Sequence, residues 1–162
     1  MEVRQFRSDE WRLYRELRLR ALADAPRAFA STLAEEQTET DGFWIERTAA
    51  SPGGTTLLAT SEGRPLGMVT VRLQGETLEE GRLLAMWVAP EWRRRGAGRK
   101  LIDGAAEWAE RRGATWLTLW VTDYNSAGVG LYQDCGFEPT SEPQPLRSHP
   151  DVMETAMRRT LL

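Results

Sequence analysis

The chain has 162 residues, 41% hydrophobic and 28% charged, which is ordinary for a soluble globular protein large enough to bury a core without staples. Its net charge of −3 argues against a nucleic-acid partner, and no apolar run reaches the roughly 18–20 residues of a membrane helix. One cysteine, Cys135, and one histidine, His149, leave no intramolecular disulfide and no cysteine or histidine cage for a metal. The acidic, arginine-mixed start is unlike a signal peptide, so a cytoplasmic location and one domain over residues 1–162 are expected.

In chain order, Val3–Phe6 reads as a strand, and Ser8 as the cap of a helix from Asp9 to about Ala23. That helix carries Trp11, Tyr14, Leu17 (or the stem of Arg18) and Ala21 on one face, and Pro26 stops it. A mixed loop then leads to a second helix around Phe43–Ala50. Thr55–Thr60 and Leu66–Leu73, joined through "SEGRP", read as an antiparallel hairpin. A polar loop, "QGETLEEG", precedes a third strand, Arg82–Val88, which Pro90 ends. The next helix sets Ala97, Leu101, Ala105, Trp108 and Ala109 at helical spacing, with Gly113 as its stop. Trp116–Thr122 follows as a strand, so strand, helix and strand predict a right-handed crossover between parallel neighbours. Asn125 caps a helix running to about Asp134. A short strand near Phe137, a proline-rich loop "PTSEPQPLRSHP" and a last strand, Val152–Thr160, complete an α/β fold with a mixed sheet.

The informative stretch is "VAPEWRRRGAGRKL", Val88–Leu101. The first N–H groups of a helix have no partners and carry partial positive charge. Five basic side chains, Arg93, Arg94, Arg95, Arg99 and Lys100, oppose that dipole at roughly 0.3–1 kcal/mol each. The spacing is wrong for a P-loop, because Lys100 is followed by Leu101. It is wrong for a dinucleotide fingerprint too, because the residue three past Gly98 is again Leu101. Two readings remain: a solvated basic turn, or a cradle in which glycine-exposed amides and the helix end grip an anion.

The same stretch resembles the acyl-CoA loop of the GNAT superfamily of N-acetyltransferases, Q/R-x-x-G-x-G/A. Arg93, Gly96 and Gly98 fill its positions, and Val88, Pro90, Glu91 and Trp92 match the preceding V-x-P-E-W/Y. Downstream, "NSAGVGLYQDCGF" (Asn125–Phe137) is similar to the family's second signature. The resemblance covers nearly the whole chain. It implies a GNAT-like mixed, mostly antiparallel central sheet flanked by helices, with acetyl-CoA as the acyl donor and an amine as the acceptor. It further implies that Arg93, Arg94, Arg95, Gly96, Ala97, Gly98, Arg99 and Lys100 hold the pyrophosphate. Met86, Trp87 and Val88 would lend backbone groups to the pantetheine arm and the thioester carbonyl. Asn125 would contact the cofactor, and Tyr132 would protonate the departing thiolate or pack against its sulfur. Family members often form dimers, so a homodimer is an expected assembly.

Helical offsets place Asn125, Gly128 and Tyr132 on one face, and Ala127, Leu131 and Cys135 on another that reads as a core stripe. Cys135 is therefore expected to pack rather than react. Gly128 suits close approach of a ligand, whereas Gly130 has no evident reason. Arg82–Val88 holds no carboxylate to deprotonate an amine. Glu79 and Glu80 in the loop before it, Asp123, and water relayed to a carbonyl all remain open as the base. His149 reads as a solvated loop histidine. "LAEEQTET" with Asp41 is either a solvated helix face or an attraction for a cationic acceptor. A non-catalytic acyl-CoA sensor and a transferase of longer acyl groups are the competing functions.

Overall fold

The computed structural model describes residues 1–161. A sheet runs β1 (Glu2–Gln5), β2 (Gly54–Ser61), β3 (Arg64–Gln74), β4 (Glu80–Val88), β5 (Trp116–Thr122), β8 (His149–Thr160), β6 (Glu138–Pro139), with β7 (Gln144–Leu146) also paired to β8. Every pairing is antiparallel except β4 with β5, the pair joined through a helix as the crossover predicts.

One face carries α4 (Ala97–Glu110) and α5 (Ser126–Asp134). On α4 all five expected positions are buried, together with Ile102 and Ala106. Its alanines let the helix axis lie close over Leu57, Val69 and Val71. The other face carries α1 (Trp11–Asp24) and α3 (Asp41–Thr48), whose Tyr14, Leu17, Ala21 and Trp44 pack on Phe6, Leu58, Met68 and Trp87. Strands β2 and β3 are thus covered on both faces and read as apolar runs.

Several expectations need correction. Ser8 does not cap α1. Ser8–Glu10 form a 3-10 turn, and the Glu10 carboxylate reaches back to accept from the Arg7 amide at 2.8 Å, so α1 starts at Trp11. A short α2 (Leu33–Glu36) occupies the expected loop, fixed by a capping box in which the Glu35 amide donates to Thr32 and the Thr32 amide donates to Glu35. The helix expected around Phe43 begins at Asp41, with Thr40 accepting from the Phe43 amide. Glu80 lies on β4, and His149 opens β8 rather than sitting in a loop.

Candidate active site

The parallel pair is where the sheet opens. β4 and β5 share a ladder only from Glu80, Gly81 and Arg82 to Trp116, Leu117 and Thr118. Above that point the β3–β4 register shifts between Met68 and Thr70, and Ala85 takes a left-handed φ of 53°, the signature of a bulge that bends β4 away from its neighbour. Trp87 pairs with Met68, and the Ala89 amide donates to Leu66. By alternation, Met86 and Val88 turn their backbone groups toward the opening. Their side chains pack on the α4 side of the sheet, while Trp87 is buried under α1.

At the upper end of this opening the chain turns into α4. Pro90–Trp92 form a 3-10 turn, after which Arg94 adopts φ 60° and Gly96 φ 87°. A left-handed residue suits glycine and costs a side-chain-bearing residue about 1–2 kcal/mol, so Arg94 carries local strain. The alternation makes a concavity of amides. No side chain caps α4, and the first amide to find a carbonyl is that of Lys100, bonded to Gly96 at 3.1 Å. Among the described residues the amides of Ala97, Gly98 and Arg99 are unbonded. Gly98 lies close under α5: a Cβ there would sit 2.8 Å from Leu131 Cδ2, so the end of that side chain would have to move.

The basic side chains around this turn separate into engaged and free. Arg93 donates from Nε to the Val88 carbonyl at 2.9 Å and pairs through Nη2 with Asp24, so its charge is committed to α1. Arg95 stacks 5.1 Å over the Trp92 ring. Arg99 reaches the Asp134 carbonyl at 3.4 Å, and Lys100 the Met1 carbonyl at 3.3 Å. Arg94 is exposed and forms no ion pair or hydrogen bond among the described residues.

Asn125 accepts from the Gly128 amide at 3.0 Å and so caps α5. That cap also accounts for Gly128, because a Cβ there would lie 2.5 Å from Asn125 Nδ2; ligand approach is not needed to explain it. Gly130 faces open space, and nothing in the structure requires it. Ala127 is exposed, so the expected stripe is corrected: Val129, Leu131, Tyr132 and Cys135 are the residues of α5 and its end that meet the core. Tyr132 packs edge-on to Phe137, with ring centroids 5.8 Å apart. Burial, with a smaller contribution from Cys135, pushes its phenol well above the ordinary tyrosine range. Burial likewise raises Cys135 and keeps it a thiol, as packing predicts.

Each of the carboxylates considered as a base is engaged by hydrogen bonds in the structure. Glu80, though on the strand, accepts from Thr118 Oγ1 and from Gln74 Nε2 at 2.6 Å. It stands in the paired part of β4, four residues or about 13 Å below Leu84. Glu79 is tied to Thr77 and held below its usual range by that hydroxyl. Asp123 accepts from Thr155 Oγ1 at 2.7 Å. His149 Nδ1 lies 3.1 Å from Ser148 Oγ. Within the acidic run, Glu36 is buried against Arg18 and Glu35 is taken by Thr32 and Arg147, while Glu39 and Asp41 are exposed.

Asp24 is the residue that sequence reasoning missed. It accepts from Trp87 Nε1 at 3.0 Å and from Arg93, partners 63 and 69 residues away. Arg20, one turn earlier, stacks 5.3 Å over the Trp87 ring and pairs with Glu91 at 2.7 Å.

A mixed sheet parted beside its parallel pair, with an uncapped helix start at the mouth of the gap, defines a protein with free backbone donors along an open strand edge. The profile described as "Acetyltransferase (GNAT) family" matches residues 6–137. The chain belongs to that family. It is 33% identical over 97 residues to the ribosomal protein bS18-alanine N-acetyltransferase of Escherichia coli, a match spanning 58% of this chain and 64% of that protein's length. Among solved structures it resembles a GCN5-related N-acetyltransferase from Kribbella flavida (TM-score 0.81, 24% identity, 99% of this chain and 97% of that one). It also resembles an acetyltransferase from Salmonella typhimurium determined with its cofactor acetyl-CoA (TM-score 0.82, 18% identity, 100% and 94%).

Proposed function

We propose that this chain is an acetyl-CoA-dependent N-acetyltransferase that moves the acetyl group to a primary amine of a small molecule or peptide by direct attack in a ternary complex. One observation carries the reading: backbone donors line a single path, from the unbonded amides of Ala97, Gly98 and Arg99 down the exposed edge of β4 at Val88 and Met86.

Along that path the helix start and the concavity around Arg94 and Gly96 hold the diphosphate, with Arg94 free to add its charge. Arg95, Arg99 and Lys100 flank it, while Arg93 sets the loop's shape from behind. The β4 edge orients the pantetheine arm and gives an amide to the thioester carbonyl. A donor aimed at a developing oxyanion contributes roughly 2.7–4 kcal/mol. The amine nitrogen bonds to the carbonyl carbon, the carbon–sulfur bond breaks, and the sulfur leaves with the electron pair. Tyr132 is the group that returns a proton to it, its phenol kept protonated by burial. Because the carboxylates near β4 are engaged elsewhere, water relayed to a β4 carbonyl takes the proton from the amine.

The test is thiol release from acetyl-CoA across amines, amino acids, polyamines, aminoglycosides and peptides with free N-termini. The likeness to a ribosomal-protein alanine N-acetyltransferase argues for the last group. Release with one class confirms the transferase. Tight acetyl-CoA binding with no release on any acceptor supports the second reading, an acyl-CoA sensor, which the engagement of Glu79, Glu80 and Asp123 in other hydrogen bonds favours.

A further inference from the structure

Far from the opening, at the other end of the α1 and α3 side of the sheet, α3 and the start of β2 leave a cavity of about 540 Å³. Its wall includes Arg47, Arg72, Ser51, Thr56 and Thr70, with Glu46 as its one carboxylate, exposed. The polar groups it offers are dominated by donors.

The cationic excess can be traced residue by residue. Arg18 holds both oxygens of the buried Glu36, at 2.8 and 2.9 Å, and Arg47 approaches the same carboxylate at only 3.6 Å. Two guanidinium groups therefore share one negative charge. Arg72 forms no ion pair among the described residues, and its side chain lies across β2 where Gly54 leaves room: a Cβ there would sit 3.3 Å from Arg72 Cγ. Directly opposite Arg72 on β4 stands Arg82, a like-charge cross-strand pair of the kind that destabilises a sheet. Arg82 Nε is buried without an acceptor. The nearest strand carboxylate on β4, Glu80, is already bonded to Thr118 and Gln74.

The two buried threonines add a donor. Thr56 and Thr70 hydroxyls lie 2.8 Å apart, so one donates to the other. The second hydroxyl then keeps a proton for which no acceptor exists among the described residues. A leftover buried donor beside the unpaired Arg72 and the half-neutralised Arg47 suits an oxyanion, whose charge-assisted hydrogen bonds are stronger than those water would accept.

We propose that this cavity is a second ligand site, specific for the phosphate or carboxylate group of a small molecule and separate from the acyl-CoA path. Arg72 and Arg47 would clamp the oxyanion, and the threonine pair would bond it from the floor. A ligand there would tie α3 to β2 and β3.

The test is a thermal-shift and calorimetric titration of the full chain with inorganic phosphate, and in parallel with malonate, at fixed ionic strength. The chain carries saturating acetyl-CoA. Saturable stabilisation is expected from at least one anion, weakened about tenfold or more by Arg72→Gln and by Arg47→Gln, and unchanged by Arg94→Gln. Thr56→Val with Thr70→Val should weaken it while the apo melting temperature stays near wild type. Arg72 is exposed, so its variant folds and reports binding alone. An anion effect that fails to saturate, persists in Arg72→Gln, or is lost in Arg94→Gln overturns the proposal. Because the Arg94 arm reads the acyl-CoA loop separately, failure here leaves the transferase reading standing.

Discussion

Asp24, the last residue of α1, holds Arg93 of the glycine loop, and Arg93 in turn holds the Val88 carbonyl at 2.9 Å. Burial pushes the Asp24 carboxyl up, but bonds from Trp87 and Arg93 outweigh it and keep the group ionised. With Arg20 gripping Glu91, α1 fastens the β4–α4 turn by two ion pairs of opposite polarity. The turn's shape is therefore set from outside, by contacts with α1.

Removing that anchor should loosen the loop. Asp24→Ala is expected to weaken acetyl-CoA binding roughly tenfold, about 1.4 kcal/mol. Asp24→Asn, which still accepts from Trp87, should lose less. Calorimetry on both variants decides it, and equal affinity in Asp24→Ala and wild type would remove Asp24 from the loop's support.

At the opposite end of the molecule the acid limb of stability should depend on Glu10. Its hydrogen bonds from Arg4, at 2.8 Å, lower its pKa to about 2 from an ordinary 4.5. A folded value below the unfolded one stabilises at pH above about 4.5, and that stabilisation disappears as pH falls toward 2. Glu10→Gln should therefore lower the melting temperature at neutral pH and flatten its decline on acidification. Melting curves from pH 7 to about 3 check the sign.

Most of this fold was legible because its signals are local. The apolar runs of β2 and β3, the alanine-rich stripe of α4 and the strand–helix–strand order each sit within a few turns of chain. The glycine loop was legible for the same reason: Gly96 takes a φ of 87°, and Gly98 lies close to Leu131 of α5. The Thr32–Glu35 box that starts α2 was also written locally, and the spacing of threonine and glutamate could have found it. Asp24 could not be found, since nothing near it indicates partners on β4 and its loop. Arg93 illustrates the same limit, as its motif position fits a phosphate role while its side chain is spent on α1. Glu36 read as part of a solvated acidic run, yet it is one of the most deeply buried charges.

That burial makes Glu36 a stability determinant. Arg18 and Glu36 side chains are only 7% and 4% exposed, and Arg18 Nη1 already lacks an acceptor. Glu36→Ala leaves a buried guanidinium without its carboxylate and should cost about 3–5 kcal/mol. Replacing both, as Arg18→Met with Glu36→Leu, should recover most of that loss. Urea unfolding of the single and double variants measures it, and a double variant no better than the single would deny the pair its charge-burial cost.

Tyr132 is the remaining test of the chemistry, because burial and the second signature bear on the same hydroxyl. A phenol raised above its usual range by desolvation stays protonated throughout the neutral and mildly alkaline range, so it can donate to sulfur but adds no alkaline limb of its own. Tyr132→Phe keeps the edge-on packing against Phe137 while deleting the donor. Loss of a positioned general acid typically costs about 10²-fold or more in turnover. The variant should thus show kcat reduced by roughly that factor, with KM for acetyl-CoA changed little. A KM increase at constant kcat would make the hydroxyl a cofactor contact instead. Thioesters with a better leaving group sharpen the distinction, since they need less protonation and should narrow the gap between Tyr132→Phe and wild type.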